Sequence, residues 1–402
     1  MHVRELTPED LDAHCRVSAM AFHWSYKPGE ETFPEHERLL GCFDDGGTLL
    51  ADLEFAVRQA VVGATTLPLV CIGGVAALPF ARRQGAVRQL FLALECLAQQ
   101  EGWALGALYP FSTAYYRKFG YENTLCSLRV TVAMRHLDAL AATIPAERQG
   151  SVELVEGERG LAELLEVYNT AARRHQMMLL RHDARQFHTK PLEEKKYSCL
   201  WRSTQGEAQG YVSYQLNTGT HTLEVEEIVF HTPEALYGLL CYLRVYNKAD
   251  AVCFEQVPPG SPLLLALREY NDGGLNAIYR FLASFRLYDP EALLRSHRYP
   301  QQPGAFTLAV AGDTLECCNG VYAVQYTNGA ATLERRPADA PAALTLTREA
   351  AARLLLSGQT TDSFALRFLP GVTLAESETA QAEQADFLRA FAATSTALWD
   401  GF

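Results

Sequence analysis

Several things are missing from this 402-residue sequence, and each absence excludes something. No apolar run reaches the roughly 20 residues that a membrane-spanning helix needs, so no integral membrane protein is expected. The opening Met1-His2-Val3-Arg4-Glu5-Leu6 has no basic region followed by an apolar stretch, so no secretory leader is expected. Positive charge is scarce: 35 Lys and Arg face 47 Asp and Glu, a net charge of −12. Without a basic stripe to neutralise phosphates, nucleic acid is not an expected partner. The ten cysteines include no C-x-x-C pair, and only Cys317 and Cys318 are adjacent. Free thiols in a reducing cytoplasm are the expectation. No H-E-x-x-H is present, so His175, His182 and His188 read as surface or loop residues and no metal is expected. No Ser-His-Asp or Cys-His arrangement stands out either.

What is present describes a folded chain. Hydrophobic residues make up 48% and charged residues 20%, the balance of a globular protein. At roughly 100–200 residues per domain, the length implies two to four domains. An acidic surface suits a cationic substrate such as an amine, although charge alone selects no function.

The first segment, residues 1–145, opens with a strand at Val3–Leu6. Thr7-Pro8-Glu9-Asp10 starts a helix that runs to about Phe22, with Thr as the cap and Pro at the first helical position. Asp44-Asp45-Gly46-Gly47 turns a hairpin between strands at 39–43 and 48–57. A long apolar strand spans 67–78 and contains Gly73-Gly74. After the polar turn Pro79–Gly85, the three- and four-residue spacing of Val87, Leu90, Phe91, Leu94, Leu97 and Ala98 predicts an amphipathic helix ending near Gly102. Another buried strand at 104–109 follows, then a short helix at 113–119 and a last strand at 125–134.

The second segment, 146–280, repeats this order. Strands are expected at 151–155, 197–202, 210–215, 222–230 and 251–257, with helices at 159–173 and from Thr232 to about Lys248. The pattern indicates an internal duplication with little residue identity. The third segment, 281–402, has strands at 306–311, 320–326 and 331–335, and helices at 347–356 and 381–398. The fold class is α/β (α+β).

Arg82-Arg83-Gln84-Gly85-Ala86-Val87 sits between a buried strand and an amphipathic helix. The first N–H groups of a helix are unpaired and lie at the positive end of its dipole, so this junction suits a pyrophosphate. Gly85 lets the backbone approach closely, and Arg82, Arg83 and Arg88 add charge. The matching junction of the second segment, His231-Thr232-Pro233-Glu234, has neither Arg nor Gly and places an acid there. It is not expected to hold a phosphate.

Val75-Ala76-Ala77-Leu78-Pro79 followed by Arg82–Val87 resembles the acetyl-CoA signature of the GNAT superfamily. Tyr115-Tyr116-Arg117-Lys118-Phe119-Gly120-Tyr121 resembles the Tyr-x-[Arg/Lys]-Phe-Gly-Tyr segment of one branch, the enhanced intracellular survival (Eis) aminoglycoside acetyltransferases. The resemblance covers the whole chain. It implies an active GNAT domain, a degenerate GNAT-like domain and a sterol-carrier-like domain ending in Phe402. It further implies that Val75, Ala76 and Ala77 pair with the pantetheine arm and that the turn from Arg82 through Arg83, Gln84, Gly85, Ala86 and Val87 to Arg88 holds the pyrophosphate. Phe111 and Ser112 would line the channel. Tyr116 would be the general acid and the Phe402 carboxylate the general base, and the assembly a homohexamer.

The chemistry is consistent with these roles. Acetyl transfer needs a deprotonated amine, a polarised thioester and a proton for the departing thiolate. A Tyr, with a reference pKa of about 10, suits the last task. A terminal carboxylate, with a reference pKa of about 3.3–3.7, attracts a cationic amine more readily than it deprotonates one, directly or through water. Both residues also have plain readings, Tyr116 as a core aromatic and Phe402 as an apolar plug. The family's acid just before the terminal Phe is replaced by Gly401, with Asp400 one residue earlier, and Phe22-His23-Trp24 occupies a position where the family carries an acid. The expected function is acetyl-CoA-dependent N-acetylation of a polycationic small molecule such as an aminoglycoside. The alternative is an acetyl-CoA-sensing or lipid-binding protein without turnover.

Overall fold

A computed structural model describes residues 1–29, 31–145, 150–156, 160–183, 187–188, 190–267, 272–357, 362–392 and 396–402. The chain forms two compact units. One comprises Met1–Thr124, Leu282–Thr394 and Gly401–Phe402, the other Leu125–Phe281 and Ser395–Asp400. Among the described residues no helix is long and apolar enough to cross a membrane.

The first unit begins with β1 (His2–Glu5), a 3-10 turn (Pro8–Asp10) and α1 (Leu11–Phe22). The Asp10 carboxylate accepts the Thr7 N–H at 2.9 Å, which closes the predicted helix start. Next come β2 (Arg38–Phe43), β3 (Leu49–Val62), β4 (Thr65–Ala77), α2 (Ala86–Glu101), β5 (Leu105–Leu108), α3 (Thr113–Tyr116) and β6 (Glu122–Asn123). Asp44 Oδ1 accepts the N–H groups of Gly46 and Thr48 at 2.9 and 2.8 Å, so the hairpin turn between β2 and β3 is held by its own side chain. In α2, Leu90, Phe91, Leu94 and Ala98 are buried, as their spacing requires. Each large apolar side chain there contributes about 1.5–3 kcal/mol. Gly102, at φ +69°, ends the helix.

The second unit contains β7 (Cys126–Ala133), α4 (Met134–Ala141), β8 (Ser151–Leu154), α5 (Leu161–Ala172), α6 (Pro191–Glu194), β9 (Lys196–Arg202), β10 (Ala208–Asn217), β11 (Thr222–Phe230), α7 (Pro233–Leu243), β12 (Ala251–Val257), α8 (Pro262–Ala266) and β13 (Leu275–Phe281). The chain then returns to the first unit with β14 (Ser284–Leu287), α9 (Pro290–Ser296), β15 (Gly304–Val310), β16 (Gly320–Thr327), β17 (Ala330–Arg336), β18 (Leu344–Leu346), α10 (Arg348–Ser357), α11 (Ser363–Leu366), β19 (Val372–Leu374) and α12 (Glu378–Ala390). The strands β15 to β19 make a separate sheet in the order β17-β16-β15-β18-β19.

The two larger sheets have the same plan. The first runs β1-β2-β3-β4-β5-β14-β6, and the second, read from its opposite edge, runs β8-β9-β10-β11-β12-β7-β13. In each, the fourth and fifth strands are parallel and joined by a helix. The sixth strand breaks the sequence order. Residues 125–134 were expected to close the first segment, but β7 lies in the second sheet, between β12 and β13. Its Val130 and Val132 are fully buried in that unit's core. The corresponding place in the first sheet is filled by β14, between β5 and β6. Arg286 of β14 is buried there and paired with Asp313 at 2.6 Å and Glu95 at 3.4 Å. Removing one partner of such a buried pair typically costs about 3–5 kcal/mol, so β14 is pinned in place.

The last helix is shorter than expected. It ends at Ala390 rather than near Leu398. Residues 393–395 lie outside the described ones. Beyond them the chain is extended: Thr396 bridges Gln176, and the Ala397 N–H donates to the Gln176 carbonyl at 3.0 Å.

Candidate active site

The site begins where two parallel strands separate. β4 and β5 pair from Leu69↔Leu105 to Ile72↔Leu108. Past that point β4 continues along β3 with a register shift, Glu54↔Gly73 giving way to Asp52↔Ala76. Gly74 sits in this bulge at φ +53°. A bulge bends its strand, and here it takes Val75, Ala76 and Ala77 out of the ladder with β5. Among the described residues, the β4 edge turned away from β3 has no strand partner along this stretch. An extended ligand with amide groups can pair there as a strand would.

The loop after β4 leads to a helix start that no side chain caps. Gly85 adopts φ +94° as the cap of α2, with no side-chain capping bond, and Arg83 is also left-handed at φ +64°. A Cβ on Gly85 would meet nothing within 4 Å, so the space before it is open. Among the described residues, the N–H groups of Gly85, Ala86, Val87 and Arg88 find no acceptor. Arg82, Arg83 and Arg88 are exposed and have no ion-pair partner among the described residues. Unpaired donors, free guanidinium groups and open space together fit a pyrophosphate. Gln84 spends its side-chain amide on the Phe80 carbonyl at 2.6 Å. Ala86 is buried and Val87 packs on the core, so both offer a ligand only their backbone.

Phe402 lies at the point of separation. A Cβ built on Gly73 would fall 3.2 Å from the Phe402 carboxyl carbon, and the Phe402 ring is 4.9 Å from the ring of Tyr109. Gly73 and Tyr109 immediately follow the last paired residues, Ile72 and Leu108. On the α3 side, Ser112 caps the helix by accepting the Tyr115 N–H at 3.3 Å. Tyr116 is 4% exposed, and exposed Phe111 crosses it edge-on at 5.4 Å. Burial, assisted by neighbouring Tyr115, pushes the Tyr116 phenol well above its ordinary value. It therefore keeps its proton throughout the neutral range. Its hydroxyl makes no hydrogen bond among the described residues.

The second unit has the same separation, since β11 and β12 pair only from Thr222↔Ala251 to Val225↔Phe254. Its helix start is closed instead of open. The Thr232 side chain accepts the Ala235 N–H at 3.2 Å, Pro233 has no N–H to offer and Glu234 would repel an anion. Asp400 is buried in this unit, where it accepts from Arg181 Nε at 2.6 Å and from the Tyr168 hydroxyl at 2.7 Å. Of the three histidines, His182 is exposed, whereas His175 is half-buried and His188 pairs with Glu194 and Glu226. No group of three or more metal-ligating side chains occurs among the described residues.

Residues 2–124 match the model of one acetyltransferase (GNAT) domain family, and residues 171–289 match that of another. Together the two matches span more than half of the chain. The chain is a GNAT N-acetyltransferase. GNAT domains use acetyl-CoA, and the open junction at Gly85 lies within the first of the two. No curated protein matches the sequence. Solved structures share the fold over the entire length. A probable N-acyltransferase from Enterococcus faecalis V583 is 18% identical, with a TM-score of 0.83, covering 100% of this chain and 99% of that one. Eis1 from Mycobacterium abscessus is 18% identical, with a TM-score of 0.79 and complete coverage of both chains. A GCN5-related N-acetyltransferase from Kribbella flavida is 20% identical, with a TM-score of 0.77, covering 100% of this chain and 98% of that one.

The sequence pointed to the Arg82–Arg88 loop, Val75–Ala77, Phe111, Ser112, Tyr116 and Phe402 in this GNAT domain. It did not single out Gly73 or Tyr109, which flank Phe402. A glycine pair inside an otherwise apolar strand was the available signal, because such glycines often mark a bulge or a close approach.

Proposed function

We propose that this GNAT protein transfers acetyl from acetyl-CoA to a primary amine of a polycationic small molecule, an aminoglycoside being one such substrate. The observation that carries the reading is the position of the Phe402 carboxyl group, against Gly73 and beside the edge of β4 where a pantetheine arm would pair.

In this reading Val75, Ala76 and Ala77 hold the pantetheine through their backbone, and the loop from Arg82 to Arg88 holds the pyrophosphate. Acetyl-CoA supplies the activated acyl group. The Phe402 carboxylate attracts the ammonium form of the substrate and receives its proton, directly or through water. The amine nitrogen then attacks the thioester carbonyl, gives up its second proton to water, and the C–S bond breaks. Tyr116, kept protonated by burial, gives its proton to the departing thiolate and is reprotonated through water by the proton the amine gave up. Phe111 and Ser112 border the channel. The second GNAT domain keeps the fold without binding acetyl-CoA. We read the sheet of β15 to β19 and its helices as a sterol-carrier-like domain, and the protein as a cytoplasmic homohexamer without nucleic-acid or membrane partners.

Thiol release from acetyl-CoA, measured against a panel of amines that includes aminoglycosides, polyamines and lysine peptides, tests the reading. It expects turnover with polycationic amines. No thiol release with any amine would overturn it.

A further inference from the structure

The helix α1 lays one histidine over two acids of β3. His14 Nδ1 is 2.9 Å from Asp52 Oδ2, and His14 Nε2 is 3.5 Å from Glu54 Oε1. Asp52 is completely buried, and its Oδ1 has no hydrogen-bond partner among the described residues. A buried carboxylate in that condition persists only beside a cation. Burial opposes charge on the His14 ring, but hydrogen bonds to Asp52 and Glu54 outweigh it and hold the ring up at about 9. Burial raises Asp52 to about 6 against the opposing pull of His14. At neutral pH His14 is therefore a fixed cation with one N–H committed to Asp52 and the other turned to Glu54.

Glu54 is placed differently from Asp52. Its side chain is 35% exposed, and His14 is its only ion-pair partner among the described residues. It stands opposite Gly73 in the β3–β4 ladder. Directly opposed residues of an antiparallel pair face the same side of the sheet. That is the side on which the Phe402 carboxyl group meets Gly73. A Cβ on the next residue, Gly74, would come within 2.8 Å of the Glu54 carboxyl carbon. The glycine pair thus accommodates two carboxyl groups, one above each residue. The imidazolium of His14 meets the carboxylates of Asp52 and Glu54, and the Phe402 carboxyl group lies against Gly73 on the same side of the sheet, so among these four groups negative charge is in excess. Asp400 cannot add to it, because its charge is already met by Arg181.

We propose that Glu54 binds a second ammonium group of the substrate, next to the amine being acetylated, and so makes the enzyme select diamines over monoamines. The inference rests on the reading that Phe402 faces the reacting amine, since Glu54 is then the carboxylate left for its neighbour. His14 and Asp52 are positioning residues: Asp52 fixes the ring and His14 fixes Glu54. A substrate with one amino group forgoes this contact, and one with two amino groups a few atoms apart makes both.

Steady-state kinetics with 1,4-diaminobutane and 1-aminobutane test this. The parent is expected to favour the diamine by about tenfold or more in kcat/KM. Glu54→Gln should erase the preference through a rise of about tenfold in KM for the diamine, with kcat and the KM for acetyl-CoA within roughly threefold of the parent. Glu54→Asp, which keeps the charge, should retain part of the preference. His14→Gln should raise the diamine KM and leave the monoamine unaffected, a split that general loss of structure would not produce. Acetyl-CoA binding by calorimetry reports that each variant is folded. An active parent whose preference survives unchanged in Glu54→Gln, with acetyl-CoA binding intact, overturns this proposal alone. A parent that releases thiol with no amine at all overturns the proposed function, and this inference with it.

Discussion

The carboxyl carbon of Phe402 lies so close to Gly73 that a methyl group on the glycine would sit 3.2 Å from it. The last residue of the chain and a glycine in the middle of β4 thus share one small space, at the point where β4 leaves β5. Gly73→Ala should displace the terminus by a few tenths of an ångström, and Gly73→Val should displace it further. Misplacement of a reacting group by about 1 Å costs up to about 10²-fold in rate. We expect kcat to fall modestly for the first variant and by at least about tenfold for the second. Acetyl-CoA affinity, measured by titration calorimetry, should stay near that of the parent in the first.

Gly85→Val should abolish acetyl-CoA binding. The side chain would enter the open space before α2 and would also be strained at φ +94°. Titration of the parent should give one acetyl-CoA per chain, because the corresponding helix start in the second unit is capped by Thr232 and Pro233. A stoichiometry of two would contradict the assignment of a single binding domain.

Tyr116→Phe removes the buried hydroxyl and keeps the ring that packs edge-on against Phe91 and Phe111. Loss of a general acid lowers turnover by about 10²–10⁴-fold and leaves ground-state binding nearly intact. Single-turnover rates and acetyl-CoA titrations on the same variant separate the two effects. A turnover within roughly twofold of the parent would leave Tyr116 a packing residue only.

The order of strands and helices is legible in the sequence, because buried faces repeat at the period of the element that carries them. The α2 face of Leu90, Phe91, Leu94 and Ala98 is one case. The open loop at Gly85 is legible as well, since an anion site at a helix start needs glycine and arginine in consecutive positions. The exchange of β7 and β14 is not. The alternation of Val130 and Val132 fits any sheet that offers an apolar face, and the choice between sheets depends on contacts with residues more than a hundred positions away. The His14–Asp52–Glu54 cluster is hidden for a similar reason. A histidine on a helix and two acids alternating on a strand look ordinary until folding brings them together across 38 residues. The position of Phe402 entered the sequence reading only through the family resemblance, because nothing local marks a chain end as part of a site.

The His14 ring should hold its proton well past neutral pH, with a midpoint near 9 in an NMR titration of the imidazole. The folded value lies above the unfolded one of about 6.5. The stability that His14 contributes is therefore fully present below about 6.5 and is lost as pH rises through about 9. The difference in unfolding free energy between parent and His14→Gln should shrink between pH 7 and pH 10. A ring that titrates at or below 6.5 would mean that it is not held by Asp52 and Glu54.

The claim that the terminal carboxylate takes part in acetyl transfer is tested most directly by extending the chain. One glycine added after Phe402 moves the charge by about 3.3–3.6 Å and leaves every existing side chain in place. Thiol release should then be measured with acetyl-CoA and an amine that the parent acetylates. The account predicts a fall in kcat of at least about tenfold with acetyl-CoA binding unchanged. Acetylation at the parent rate by the extended protein would contradict it, and the amine's proton would have to leave by another base or through bulk water.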